Sequence, residues 1–111
     1  MSAKSIYVSG PYTAPTREGE DENIARAAAV AAELLAAGWM VFCPHTMSST
    51  IARQYNDIMN WGWEEWLVLD IYWLSKCDAI YMLPGWRESK GAVIEYMVAK
   101  GLGLSILGAT E

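Results

Sequence analysis

The chain reads as an α/β protein, a flavodoxin-like or Rossmann-like three-layer sandwich with a four- to five-stranded parallel sheet. Three observations predict this. Short β-branched and aromatic runs alternate with segments of helical period. The connections between them are short, as in βαβ units with helices on both faces. The 111 residues, 53% of them apolar, suit a single domain over 1–111 with one packed core.

Taken in order, Ser5-Ile6-Tyr7-Val8-Ser9 is a buried strand that ends at Gly10-Pro11. A loop follows, and the acidic Asp21-Glu22-Asn23 opens a helix whose Ile24, Ala27, Ala28, Ala31, Leu34 and Leu35 fall at helical spacing before Gly38. Trp39-Met40-Val41-Phe42-Cys43 is the second strand, stopped by Pro44. Residues 45–60 show little pattern beyond a short helix over 49–55. From 62 to 76, Trp63, Trp66, Leu67, Asp70, Trp73 and Leu74 share one helical face. Residues 78–83 form a third strand broken at Pro84-Gly85, 89–100 a helix, and 102–107 a fourth strand.

The net charge of −5, with eight scattered Lys and Arg, argues against duplex nucleic acid as a partner. It leaves room for a small anion bound by backbone amides. Cys43 and Cys77 suggest neither a disulfide framework nor zinc and are read as small core residues of a reducing compartment. One His completes a set too poor for a metal site, and no cofactor motif is present. The first residues lack the regions of a secretory signal, and no apolar run reaches membrane-spanning length, so a cytoplasmic protein without membrane attachment is expected. Six Trp and six Tyr exceed what so small a core buries, which points to a homodimer or higher homo-oligomer.

Parallel sheets bind ligands beyond the carboxyl ends of their strands. The loops there read Ser9-Gly10-Pro11-Tyr12-Thr13, Pro44-His45-Thr46 and Pro84-Gly85-Trp86-Arg87-Glu88-Ser89-Lys90-Gly91. Ser89 and Gly91 precede a helix, so they can cradle a phosphate, although Ser89 equally suits a helix N-cap. Neither the dinucleotide fingerprint nor a P-loop is present. Glu95 lies one to two turns into that helix and on spacing alone could be a solvated Glu. Asp70 stands where an apolar residue is expected, so it is either used or held by a structural hydrogen bond. Two carboxyls meeting at a sugar are equipped for glycosidic cleavage. Tyr7 could order one of them or simply fill the core, and His45 could contact a base or phosphate or make a loop hydrogen bond. Trp61, Trp63, Trp66 and Trp73 read as core and interface residues, and Trp86 as the aromatic platform for a base.

Together, Ile6-Tyr7-Val8-Ser9-Gly10-Pro11-Tyr12, Asp70 ahead of Cys77-Asp78-Ala79-Ile80, Leu83-Pro84-Gly85-Trp86 and Ser89-x-Gly91-x-x-x-Glu95 resemble the nucleoside 2-deoxyribosyltransferase-like superfamily over nearly the whole chain. The resemblance implies Glu95 as a nucleophile that forms a glycosyl-enzyme intermediate, Tyr7 as the residue that orients it, and Asp70 as a participant in catalysis. Ser9, Gly10, Pro11, Tyr12, His45, Trp86, Ser89 and Gly91 are the expected substrate contacts. Transferases acting on free nucleosides carry an Asp six residues before the catalytic Glu. Ser89 at that place is similar to the 2′-deoxynucleoside 5′-monophosphate N-hydrolases, since a hydroxyl can donate to a phosphate that a carboxylate would repel. The long C-terminal extension of the transferases is also missing. The expected activity is therefore hydrolysis of the N-glycosidic bond of a (deoxy)nucleoside 5′-monophosphate. A nucleoside deoxyribosyltransferase and a non-catalytic nucleotide-binding protein are the alternatives.

Overall fold

Strand β1 (Ser5–Ser9) sends Ile6 and Val8 to one side and Tyr7 and Ser9 to the other, and all four are buried. Such a strand must lie inside a sheet covered on both faces. The computed structural model describes residues 4–109. In it β1 is followed by α1 (Arg17–Ala36), β2 (Met40–Phe42), α2 (Pro44–Met59), α3 (Trp63–Leu74), β3 (Ala79–Met82), a 3-10 turn at Trp86–Glu88, α4 (Lys90–Leu102) and β4 (Ser105–Gly108). The four strands pair in parallel in the order β2-β1-β3-β4. This is the α/β sandwich the sequence predicts, with four strands.

Each face of the sheet has its own apolar layer. Ile6, Val8 and Ala79 meet Ala27, Ala31 and Leu34 of α1 together with Cys43 and Leu83. On the other face Tyr7, Ile80 and Met82 meet Leu74 of α3, Ala92 and Ala99 of α4, and Trp86. Alanines at the contact positions of α1 and α4 let helix backbone approach the sheet closely. Helix α2 packs against α1. Cys43 is buried, Cys77 is half-buried, and both are free thiols. Among the described residues no helix is long and apolar enough to cross a membrane.

Two helix starts differ from the sequence-based expectation. Helix α1 begins at Arg17, four residues before the acidic Asp21-Glu22-Asn23, because the Thr16 side chain accepts from the Gly19 amide at 3.0 Å and caps it. Helix α2 runs over Pro44–Met59 and is not confined to 49–55. Pro44 starts it, where a missing N–H costs nothing, and Asn60 ends it in the left-handed region at φ 55°. The strands β2, β3 and β4 are each shorter than predicted, and β4 begins only at Ser105, after Gly103 terminates α4 in the left-handed conformation.

Candidate functional site

The chain moves from β1 outward to β2, then returns to the other side of β1 to lay down β3. The loops that leave β1 and β3 therefore diverge, which opens a crevice at the carboxyl ends of these neighbours. A cleft of about 730 Å³ lies there, bounded by the loop after β1 and by parts of α2, α3 and α4. Its size falls within the range of small-molecule sites.

Glu95 is at the base of this cleft and only 6% exposed. Helix α4 brings it there because Ser89 caps the helix, its hydroxyl accepting from the Ala92 amide at 3.2 Å. Two hydroxyls of β1 hold the carboxylate from behind. Tyr7 Oη donates to Oε2 at 3.0 Å and Ser9 Oγ donates to Oε1 at 2.6 Å. Alternation along β1 is what puts these two side chains on the same face of the sheet. Burial raises the Glu95 pKa to about 7, while the hydrogen bonds from Ser9 and Tyr7 work in the opposite direction by favouring the charged form. Burial and then the charge of Glu95 push the Tyr7 phenol well above its ordinary value, so Tyr7 stays a donor.

Asp70, on α3, lines the same cleft. Its pKa is also raised to about 7, first by burial and then by the charge on Glu95. The two carboxyls thus sense each other, and near neutral pH the cleft floor can hold one as an acid and the other as an anion.

Gly10, Pro11, Tyr12, His45, Ser89 and Gly91 line the cleft with them. At Gly10 a Cβ would stand 2.6 Å from Leu83 Cβ, so glycine is required by packing of the first loop against the third. His45 is buried, with Nε2 at 2.9 Å from the Pro11 carbonyl and the ring edge-on to Tyr12. Burial lowers its pKa, so it is a neutral wall of the cleft rather than a counter-ion for phosphate. Among the described residues no cluster of His, Cys, Asp and Glu is arranged to hold a metal ion.

Two expectations about individual side chains require correction. Ser9, read as a substrate contact, is fully buried and gives its hydroxyl to Glu95. Trp86, read as a base platform, is buried in the core beside α4, stacked on Tyr96, with its indole N–H donated to the Ala109 carbonyl. Gly85, at φ 84°, sends the chain into the 3-10 turn that takes Trp86 away from the cleft. The aromatic wall is instead formed by Trp63 and Trp66 of α3, with Leu67 beside them. Trp61 meets Trp66 edge-on at 4.9 Å and supports it from behind. Their position was implicit in the sequence, because Trp63, Trp66 and Leu67 share a helical face with Asp70. Ser48, Ala52 and Asn56 of α2 also line the cleft. They lie four residues apart, one turn above another, but as small and polar residues they carry no signal of burial.

Over residues 4–108 the chain matches the family described as domain of unknown function DUF4406, and it belongs to that family. No curated protein matches it.

Proposed function

We propose that this DUF4406 domain hydrolyses the N-glycosidic bond of a (deoxy)nucleoside 5′-monophosphate, with Glu95 as nucleophile. The observation that carries the reading is the buried Glu95 carboxylate, held by Tyr7 and Ser9 and electrostatically coupled to Asp70 across a cleft of ligand size. A solvated helix Glu would need none of these partners. The resemblance of the Tyr7, Asp70 and Ser89-x-Gly91-x-x-x-Glu95 positions to the nucleoside 2-deoxyribosyltransferase-like superfamily supports the same chemistry.

In this mechanism one Glu95 oxygen attacks C1′ of the sugar. The C1′–N bond breaks with its electron pair going to the base, and the departing nitrogen takes a proton from Asp70 or from water. Tyr7 and Ser9 keep the carboxylate aimed and, after attack, still donate to the ester oxygens. Water then adds to C1′ and gives its proton to the Asp70 carboxylate or to bulk water, Glu95 leaves as carboxylate, and (deoxy)ribose 5-phosphate is released. The base stands against Trp66, and the phosphate lies at the start of α4, where Ser89 and the first amides of the helix meet it beside Trp63. Asp70 and Glu95 need no metal for these steps. The free Cys43 and Cys77 fit a reducing, cytoplasmic setting.

Incubation with a panel of ribo- and deoxyribonucleoside 5′-monophosphates, followed by chromatography for free base, tests the proposal. Release is expected from at least one member, with Glu95→Ala slower by about a thousandfold or more. An active Glu95→Ala variant would remove Glu95 from the role, and a panel left intact would remove the reaction.

A further inference from the structure

Three carboxyls line the cleft, those of Asp70, Glu88 and Glu95, and Lys90 is the only cationic side chain among the described residues that does so. Lys90 is the first residue of α4. Its Nζ makes no ion pair among the described residues and stands 4.9 Å from the centre of the Trp63 ring, itself part of the cleft wall. The side chain is exposed and lies over an aromatic face, a contact of modest strength that an anion can outbid. Beside it, Ser89 takes the amides of Ala92 and Val93, whereas those of Lys90 and Gly91 have no acceptor among the described residues.

The charge balance of this site turns on one residue. A phosphate entering the cleft is repelled by each ionised carboxyl, and an uncharged nucleoside is not. Without the ammonium group the acidic lining would favour the nucleoside. We propose that Lys90 selects the 5′-monophosphate over its parent nucleoside, its ammonium pairing with the phosphate at the start of α4. The proposal rests on the reading of the cleft as an N-glycosidase site. It assigns to Lys90 a specificity role and no part in bond breaking.

The test compares kcat/KM for a nucleoside 5′-monophosphate and for its parent nucleoside in wild type, Lys90→Met and Lys90→Arg. Lys90→Met is expected to lower kcat/KM for the monophosphate by about ten- to a hundredfold, chiefly through KM. The nucleoside should lose much less, so that the monophosphate-to-nucleoside ratio falls; Lys90→Arg should restore preference for the monophosphate, and added salt should weaken the wild-type preference. A monophosphate-to-nucleoside ratio unchanged in Lys90→Met overturns the proposal.

A second arm needs no turnover. Because Lys90 stands on Trp63, tryptophan fluorescence is followed during titration with inorganic phosphate and with the monophosphate. A response present in wild type and lost in Lys90→Met supports the Lys90 site even where no base is released, in which case the reaction alone fails. Base release with a response independent of Lys90 overturns the Lys90 role and leaves the reaction standing.

Discussion

Glu95 and Asp70 share the electrostatic cost of this site. Its pKa is raised to about 7 by burial, and that of Asp70 to about 7 by burial and by Glu95. A carboxyl whose folded pKa lies above its unfolded value favours the fold while protonated. That contribution is whole below the ordinary carboxyl range and is lost as the pH rises through 7. Wild type should therefore melt at a lower temperature at about pH 8 than at about pH 5. Glu95→Gln cannot ionise and can keep both hydrogen bonds, since Tyr7 donates to its carbonyl oxygen and the Ser9 hydroxyl turns to accept from its amide. For a shift from 4.5 to about 7, the variant should gain roughly 3 kcal/mol over wild type at about pH 8 and little at about pH 5. Melting curves across pH check this, and parallel pH dependence in the two proteins would contradict it. At this scale Glu95, Asp70 and Tyr7 were visible in the sequence only by position and resemblance. What it could not show was that the hydroxyl of Ser9 turns inward to Glu95, since side-chain alternation along β1 only became meaningful once α4 was placed against that face.

At the scale of elements, legibility followed the hydrophobic signal. Strand β1 was plain because Ile6, Tyr7 and Val8 are β-branched or aromatic and the run is bounded by Gly10-Pro11, and α4 because Ser89 caps it. Helix α2 was obscured for a physical reason: its cleft-facing residues, Ser48, Ala52 and Asn56, are small or polar, while Ile51 and Ile58 face outward. Its apolar stripe, Met47, Ile51, Tyr55 and Ile58 at helical spacing, stays exposed on the outer face and so gave no sign of the face that lines the cleft. Helix α3 misled in the opposite sense. Its Trp-rich face looked like core, yet Trp63 is 44% exposed and shares the cleft with Asp70. The early start of α1 depended on one hydroxyl, that of Thr16, amid a loop rich in Pro and Gly.

For the whole molecule, the parallel order β2-β1-β3-β4 places the cleft where the chain reverses direction across the sheet, and every cleft residue belongs to a loop or helix at that end. The outer faces of α2 and α3 expose Tyr55, Ile58, Val68 and Tyr72, apolar surface that a second copy would cover. We expect a homodimer or larger assembly in sedimentation at micromolar concentration, and a monomer there would contradict that expectation. The central claim is that Glu95 forms a covalent bond with the sugar. Its most direct test is rapid acid quenching during turnover of a reactive nucleoside 5′-monophosphate, followed by peptide mass analysis. The account predicts a peptide containing Glu95 that carries the added mass of the sugar phosphate, absent from Glu95→Gln. Free base formed with no such adduct, and at an equal rate by Glu95→Gln, would contradict it.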